Sequence, residues 1–171
     1  SETRLPHFGT NIRHLPAASF LDEYRRTPVS DEIRRMARNY LRAATRVRGG
    51  ATEEDVVNGI KSYAVARAIL EREEGDGISM DCLGALGSTN VSLPCISWSK
   101  MLDQGIPAAC EADLGACVTH ALVQQLFDRP GFQQDPVPET ARQCLIGAHC
   151  SCPTRLAGFD PGYFLPDWPG A

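Results

Sequence analysis

The chain has 171 residues, of which 43% are hydrophobic and 7% aromatic, and its formal net charge is -4. This composition is typical of a soluble globular protein, and the length suits one domain with a core of its own. The mild negative charge argues against nucleic acid or an anionic membrane surface as the main partner. No apolar run approaches the roughly 18 residues that a membrane-spanning helix needs, so we expect a cytoplasmic protein that does not contact a membrane.

The seven cysteines favour reduced thiols over disulfides, because their number is odd and the chain is not short. No C-x-x-C motif supports the alternative of a redox or metal-storage protein. A zinc site is weakly indicated, because its candidate ligands stand too close together to wrap around an ion: Cys144, His149, Cys150 and Cys152. We expect no disulfide, and we expect Cys110, Cys117 and Cys144 to be core residues.

The first half of the chain is predicted to be helical. Residues 1–28 are interpreted as a connecting segment with one short helix in ASFLDEYRR. Apolar residues at helical spacing predict a second helix that begins after Ser30 and runs to Gly49. Thr52 and Asp55 resemble a capping box, which opens a third helix that ends at EREEGDG.

The second half alternates between strands and helices. GISMDC and IPAAC are predicted strands, and ISWSKMLDQ and the stretch from Leu114 to Leu126 are predicted helices. PGFQQD is a brief extended segment, and QCLIGA is apolar on both faces, as a buried parallel strand is. The alternation predicts an α/β fold, in which crossover helices join a parallel sheet within a single domain over residues 29–158.

Three side chains with metal-binding chemistry follow predicted extended segments: Glu111, Asp135 and His149. In open α/β sheets the functional crevice lies beyond the carboxyl ends of the strands, so we expect the three to converge there. Two carboxylates and an imidazole suit a first-row divalent cation such as manganese, with positions left for substrate oxygens.

A plainer interpretation stays open on spacing alone. Glu111 and Asp113 would then cap the following helix, where its dipole favours negative charge. Asp135 would be a turn residue before Pro136, and His149 would be a hydrogen-bonded structural histidine.

The stretch IPAACEADLGACVTHALVQQLFDRPGFQQD, followed by CLIGAHCSCP, resembles the metal-binding region of the L-fucose isomerase and L-arabinose isomerase superfamily. The resemblance covers roughly residues 77–158. It implies that Glu111, in an E-x-D motif, and Asp135 bind the catalytic metal and also serve as the acid and base. It further implies that His149 is a ligand, as in the arabinose branch, or contacts a substrate hydroxyl.

The resemblance implies a manganese-dependent or similar isomerase that interconverts aldose and ketose sugars through an enediol. Members of that superfamily are longer, so we interpret this chain as the middle domain of a homo-oligomeric enzyme, with residues 159–171 leading to a further domain. The isolated chain is then expected to have little or no activity. The alternative is a non-catalytic interaction module that retains the fold.

Overall fold

The computed structural model describes residues 5–47, 50–85, 91–158 and 163–165 of the chain. In these residues the helices are α1 (Ala17–Arg26), α2 (Asp31–Ala43), α3 (Glu53–Glu73), α4 (Cys82–Ala85), α5 (Cys95–Asp103) and α6 (Leu114–Phe127). The strands are β1 (Ala44–Val47), β2 (Ile78–Met80), β3 (Ala108–Cys110), β4 (Asp135–Glu139), β5 (Cys144–Ala148) and β6 (Tyr163–Leu165). Short 3-10 helices span Leu5–Phe8 and Thr154–Ala157.

The described strands form three separate pairs. β2 pairs in parallel with β3, and β1 pairs in parallel with β6. β4 and β5 form an antiparallel hairpin. The mixed α/β class, with parallel strands and helices between them, is therefore confirmed at this level.

Helix α3 lies at the centre of the core. The predicted capping box is present at its start, where Thr52 and Asp55 bond reciprocally through side chain and backbone. One part of α3 packs with α2 around Val57 and Ile60, and the other packs with α1, α5 and β3 around Val65 and Trp98. Such buried apolar surface stabilises the fold by about 25 cal/mol per Å².

Two helices approach each other closely where α3 meets α5. A Cβ atom on Gly59 would lie 2.9 Å from the Cδ1 atom of Ile96. A larger residue at this position would have to displace the Ile96 side chain. Ser97 strengthens the contact, because its hydroxyl donates to the Gly59 carbonyl over 3.0 Å.

Helix α2 ends earlier than its periodicity predicts. The prediction extended it to Gly49, but the chain leaves the helix after Ala43 and Ala44–Val47 becomes β1. The partner strand, Tyr163–Leu165, comes from the far end of the sequence. Helical periodicity is a local signal and gives no information about such a distant partner.

The prediction for QCLIGA was also wrong. β5 is exposed at every position and pairs antiparallel with β4, whereas a buried parallel strand was expected. The connection between the two strands, residues 140–143, is too short for a parallel crossover, which needs about a dozen residues. Pro136 and Pro138 have no backbone N–H to donate to a neighbouring strand. β4 tolerates them because it is an edge strand.

The N-terminal helix contributes to the core, since Phe20 and Tyr24 of α1 are buried against α3. The domain limits at residues 28 and 158 stay predictions. Of the expected C-terminal connection, residues 159–162 and 166–171 lie outside the described residues. Among the described helices, none combines the length and apolar character that crossing a membrane requires.

Candidate metal centre

The turn after β3 separates the two acids that the sequence places together. Asp113 is the N-cap of α6, because its Oδ1 accepts a hydrogen bond of 2.9 Å from the Ala116 backbone N–H. Capping is therefore the role of Asp113. Glu111 does not cap the helix, and its carboxylate is left for other partners.

The backbone of this turn has an unusual conformation. Glu111 and Ala112 have φ values of 62° and 53°, in the left-handed region that residues other than glycine rarely adopt. The Asp113 N–H donates to the Cys110 carbonyl, and the Ala112 N–H donates to the Met80 carbonyl, each over 3.0 Å. Left-handed residues cost of order 1–3 kcal/mol each and persist only where surrounding contacts fix them. These two bonds supply such contacts and fix the position of Glu111.

Asp135 and His149 are brought together by the hairpin. Asp135 begins β4 and pairs with Ala148, the last residue of β5, so His149 follows at the same end. Asp135 therefore stands at the amino end of its strand. The expectation that all three residues occupy carboxyl ends of strands was wrong for Asp135, although the antiparallel pairing gives the same neighbourhood.

The three predicted side chains do converge. The Nε2 atom of His149 lies 3.9 Å from Glu111 Oε1 and 3.9 Å from Asp135 Oδ2. The three ligand atoms all lie within 4.8 Å of one another. We call this group the carboxylate–imidazole site. Its two acids face solvent, with 35% and 66% of their side chains exposed, whereas only 3% of the His149 side chain is exposed.

The spacing of the site fits a shared cation better than direct contact. A separation of 3.9 Å is too long for a hydrogen bond. Two oxygen or nitrogen ligands that each stand about 2.0–2.2 Å from a first-row metal are at most about 4.4 Å apart. In the described part of the chain, neither carboxylate accepts a hydrogen bond from another group. The donor set can therefore take a divalent cation.

The other ring nitrogen of His149 orients the imidazole. Its Nδ1 lies 3.2 Å from the Ser151 hydroxyl and 3.6 Å from the Cys150 sulfur. When Nδ1 carries the proton and donates to either partner, Nε2 presents its lone pair to the carboxylate side. The tautomer suited to metal binding is thus supported by residues next to His149 in sequence.

A residue that sequence analysis missed connects the hairpin to β3. The Cys110 backbone N–H donates to Gln133 Oε1 over 2.9 Å, and Gln133 Nε2 donates to the Cys110 carbonyl over 3.5 Å. The amide side chain thus bonds to both backbone groups of a fully buried residue, whose carbonyl also accepts from the Asp113 N–H. Because Glu111 follows Cys110 and Asp135 follows shortly after Gln133, this contact sets the two acids relative to each other.

The segment after His149 is attached to α5. Ser99 donates to the Cys152 carbonyl over 2.6 Å, and the Asp103 carboxylate accepts from the Thr154 hydroxyl and from the Arg155 N–H. His149 is therefore held from both sides. It lies between the hairpin and a segment that is bonded to the helical core.

A second histidine lies below β3 and is structural. His120 of α6 is buried, and its Nδ1 is 3.0 Å from the Ala108 carbonyl. Burial lowers the pKa of His120, against the opposing effect of the Ala108 carbonyl. It is therefore neutral near pH 7 and contributes packing and one hydrogen bond.

The cysteines show a pattern that spacing did not reveal. Cys110 is buried as predicted and Cys117 is half-buried, but Cys144 is exposed on the hairpin, so its predicted place in the core was wrong. All seven sulfur atoms are free thiols. The thiol of Cys110 contacts those of Cys82 and Cys150, and Cys150 also contacts Cys95. No local motif predicts this, because each residue comes from a different element.

No protein-family model matches the chain, and a search of curated proteins gives no match either. The functional interpretation of the chain therefore depends on the geometry of its own residues.

Proposed function

We propose that the chain forms the cation-binding part of a metal-dependent isomerase that interconverts aldose and ketose sugars. The observation that carries the proposal is the convergence of Glu111, Asp135 and His149, which are distant in sequence, at separations suited to one divalent cation. The resemblance of the same segments to L-fucose and L-arabinose isomerases supports the choice of reaction. Manganese is the cation that this mixed donor set and the resemblance favour.

The chemistry is a proton transfer between neighbouring carbons. The proton that leaves C2 of the aldose returns to C1 of the ketose, while a hydroxyl proton moves from O2 to O1. A bound divalent cation supplies stabilisation of the negative charge that develops on these oxygens. Glu111 and Asp135 hold the cation and are also the groups that can accept and return the carbon-bound proton.

Solvent exposure limits what this site achieves alone. Both carboxylates face water, so a bound sugar would be solvated and its position poorly fixed. Excluding water strengthens electrostatic stabilisation and is a large part of catalysis. We therefore expect turnover well below the rates of order 1 per second that are typical of enzymes.

The first experiment measures Mn²⁺ binding by calorimetry in the wild type and in Glu111→Gln and Asp135→Asn. Each substitution keeps the side-chain shape, removes one anionic ligand and should weaken binding about 100-fold, or about 2.8 kcal/mol. Glu139→Gln is the matched control, because it removes a carboxylate from the far end of the same hairpin. Equal Mn²⁺ affinity in all four proteins would refute the site.

The second experiment tests the reaction itself. L-fucose and L-arabinose are incubated in D₂O with the protein and Mn²⁺, and loss of the C2–H signal is followed by proton NMR. Slow exchange that disappears in Glu111→Gln is the expected result. Mn²⁺ binding without any exchange would favour the non-catalytic module instead.

A further inference from the structure

A second group of potential ligands lies on the other side of His149 from the two carboxylates. We call it the thiol cluster, and its members are Cys82, Cys95, Cys110 and Cys150. The cluster is outside the carboxylate–imidazole site, because His149 turns Nε2 to the acids and Nδ1 towards the Cys150 sulfur at 3.6 Å.

The four thiols form a continuous series of contacts. Cys110 touches Cys82 on one side and Cys150 on the other, and Cys150 touches Cys95. The ligand atoms of Cys110, His149 and Cys150 all lie within 4.8 Å of one another. In a tetrathiolate zinc site, with bonds of about 2.3 Å, neighbouring sulfur atoms are about 3.8 Å apart. Cys110 and Cys150 are already close together, and rotation of the Cys82 and Cys95 side chains, which contact the two ends of this pair, would complete such a site.

The surroundings of the cluster suit thiolates. The Glu111 backbone N–H donates a hydrogen bond to the Cys82 sulfur. Metal-bound sulfur atoms in proteins commonly accept such bonds.

The pattern argues for a metal site over a single disulfide. Cys110 and Cys150 each contact two other thiols, whereas a disulfide joins one pair and leaves the remainder without a function. Sulfur donors select zinc-class cations and disfavour manganese, which prefers oxygen. The two sites would therefore take different metals.

We propose that the thiol cluster binds one thiophilic divalent cation of the zinc class. The cation joins the starts of α4 and α5 to the end of β3 and to the residue after His149. Since Glu111 follows Cys110 and His149 precedes Cys150, this link also fixes two members of the carboxylate–imidazole site. The cluster is thus a structural metal centre that supports the neighbouring site.

The test uses Co²⁺ as a spectroscopic substitute for zinc, added to the reduced, chelator-treated chain. A tetrahedral thiolate site gives sulfur-to-cobalt charge-transfer bands in the near ultraviolet and strong visible bands, which oxygen and imidazole ligands do not produce. We expect about one such Co²⁺ per chain, displaced by Zn²⁺. A folded, reduced wild type that lacks these bands would overturn the proposal without any variant.

Variants assign the ligands. Cys95→Ser should weaken Co²⁺ binding at this site at least about 100-fold, judged from the same bands. Cys144→Ser, which alters an exposed thiol outside the cluster, should leave the bands unchanged. Circular dichroism checks folding, and Cys82→Ser replaces Cys95→Ser if the latter unfolds. Bands that persist in both variants would refute the ligand set.

Discussion

The two regions that meet at the carboxylate–imidazole site are held in opposite ways. Ala108–Cys110 of β3 is fully buried and lies against α5 and α6, so Glu111 is positioned by the core. The hairpin that carries Asp135 and His149 is exposed along β5, and Leu145 is 73% exposed. A precise site is thus shared between a rigid element and one that depends on a few polar contacts. The polar contacts, more than the hairpin's own packing, must set the geometry.

The largest expected effect tests this difference in packing. Met101→Ala removes a fully buried side chain next to β3 and should lower the free energy of unfolding by about 2–5 kcal/mol. Leu145→Ala on the hairpin should change it by less than about 0.5 kcal/mol, because the side chain already contacts water. Urea titration followed by circular dichroism measures both. Similar losses in the two variants would show that the hairpin is covered in solution.

The next effect concerns the link between the regions. Gln133→Ala leaves the buried N–H of Cys110 without its side-chain acceptor, which should cost about 1–3 kcal/mol of stability. It should also weaken Mn²⁺ binding about 10-fold, because Asp135 loses its fixed distance from Glu111. Gln125→Ala, on the exposed face of α6, is the control for both calorimetry and unfolding. Unchanged Mn²⁺ affinity in Gln133→Ala would show that the hairpin positions Asp135 by itself.

The smallest expected effect is a pH dependence that arises on the core side. Burial lowers the pKa of His120 in the folded state, so the unfolded chain takes up its proton first as the pH falls. Histidine in the unfolded chain has a pKa of about 6.5. The contribution of neutral His120 to stability is therefore complete above that pH and is lost as the pH drops below it. The Ala108 carbonyl and Asp113 oppose the shift, and His149 adds to it.

Unfolding free energies measured between pH 7.5 and 5 check this sign. His120→Gln should flatten the dependence of the unfolding free energy on pH. His7→Gln should leave that dependence unchanged, because His7 is exposed. A wild-type stability that rises on acidification over this range would contradict the assignment of His120 as a buried neutral residue.

Local signals in the sequence predicted the local parts of the structure. The capping box at Thr52, the cap at Asp113 and the ends of α3, α5 and α6 depend on residues close together in the chain, and the structure contains them. The convergence of Glu111, Asp135 and His149 was predicted because each of these candidate ligands follows a predicted extended segment. The three side chains lie together as predicted, but Asp135 stands at the amino end of its strand and not at the predicted carboxyl end.

The features that sequence analysis missed depend on distant partners. β1 is a strand because of residues 163–165, and the thiol cluster takes its four residues from four separate segments of the chain. Gln133 has no motif, since an amide that bonds to a buried backbone resembles any surface glutamine in sequence. One local signal does predict the hairpin, because the four residues 140–143 leave room only for an antiparallel connection between β4 and β5.

The pairing of the strands also sets an order of events during folding. The β4–β5 hairpin closes across four residues and can form within microseconds, yet an isolated two-stranded hairpin is marginal in water. The β2–β3 pair joins Ile78 to Ala108 and must wait for α5 to collapse against α3. The hairpin therefore forms early and repeatedly. It becomes persistent only once β3 is in place and the Cys110 N–H can donate to Gln133. The carboxylate–imidazole site is accordingly among the last parts of the molecule to be completed, and the amides of β4 and β5 should exchange with solvent before those of α3.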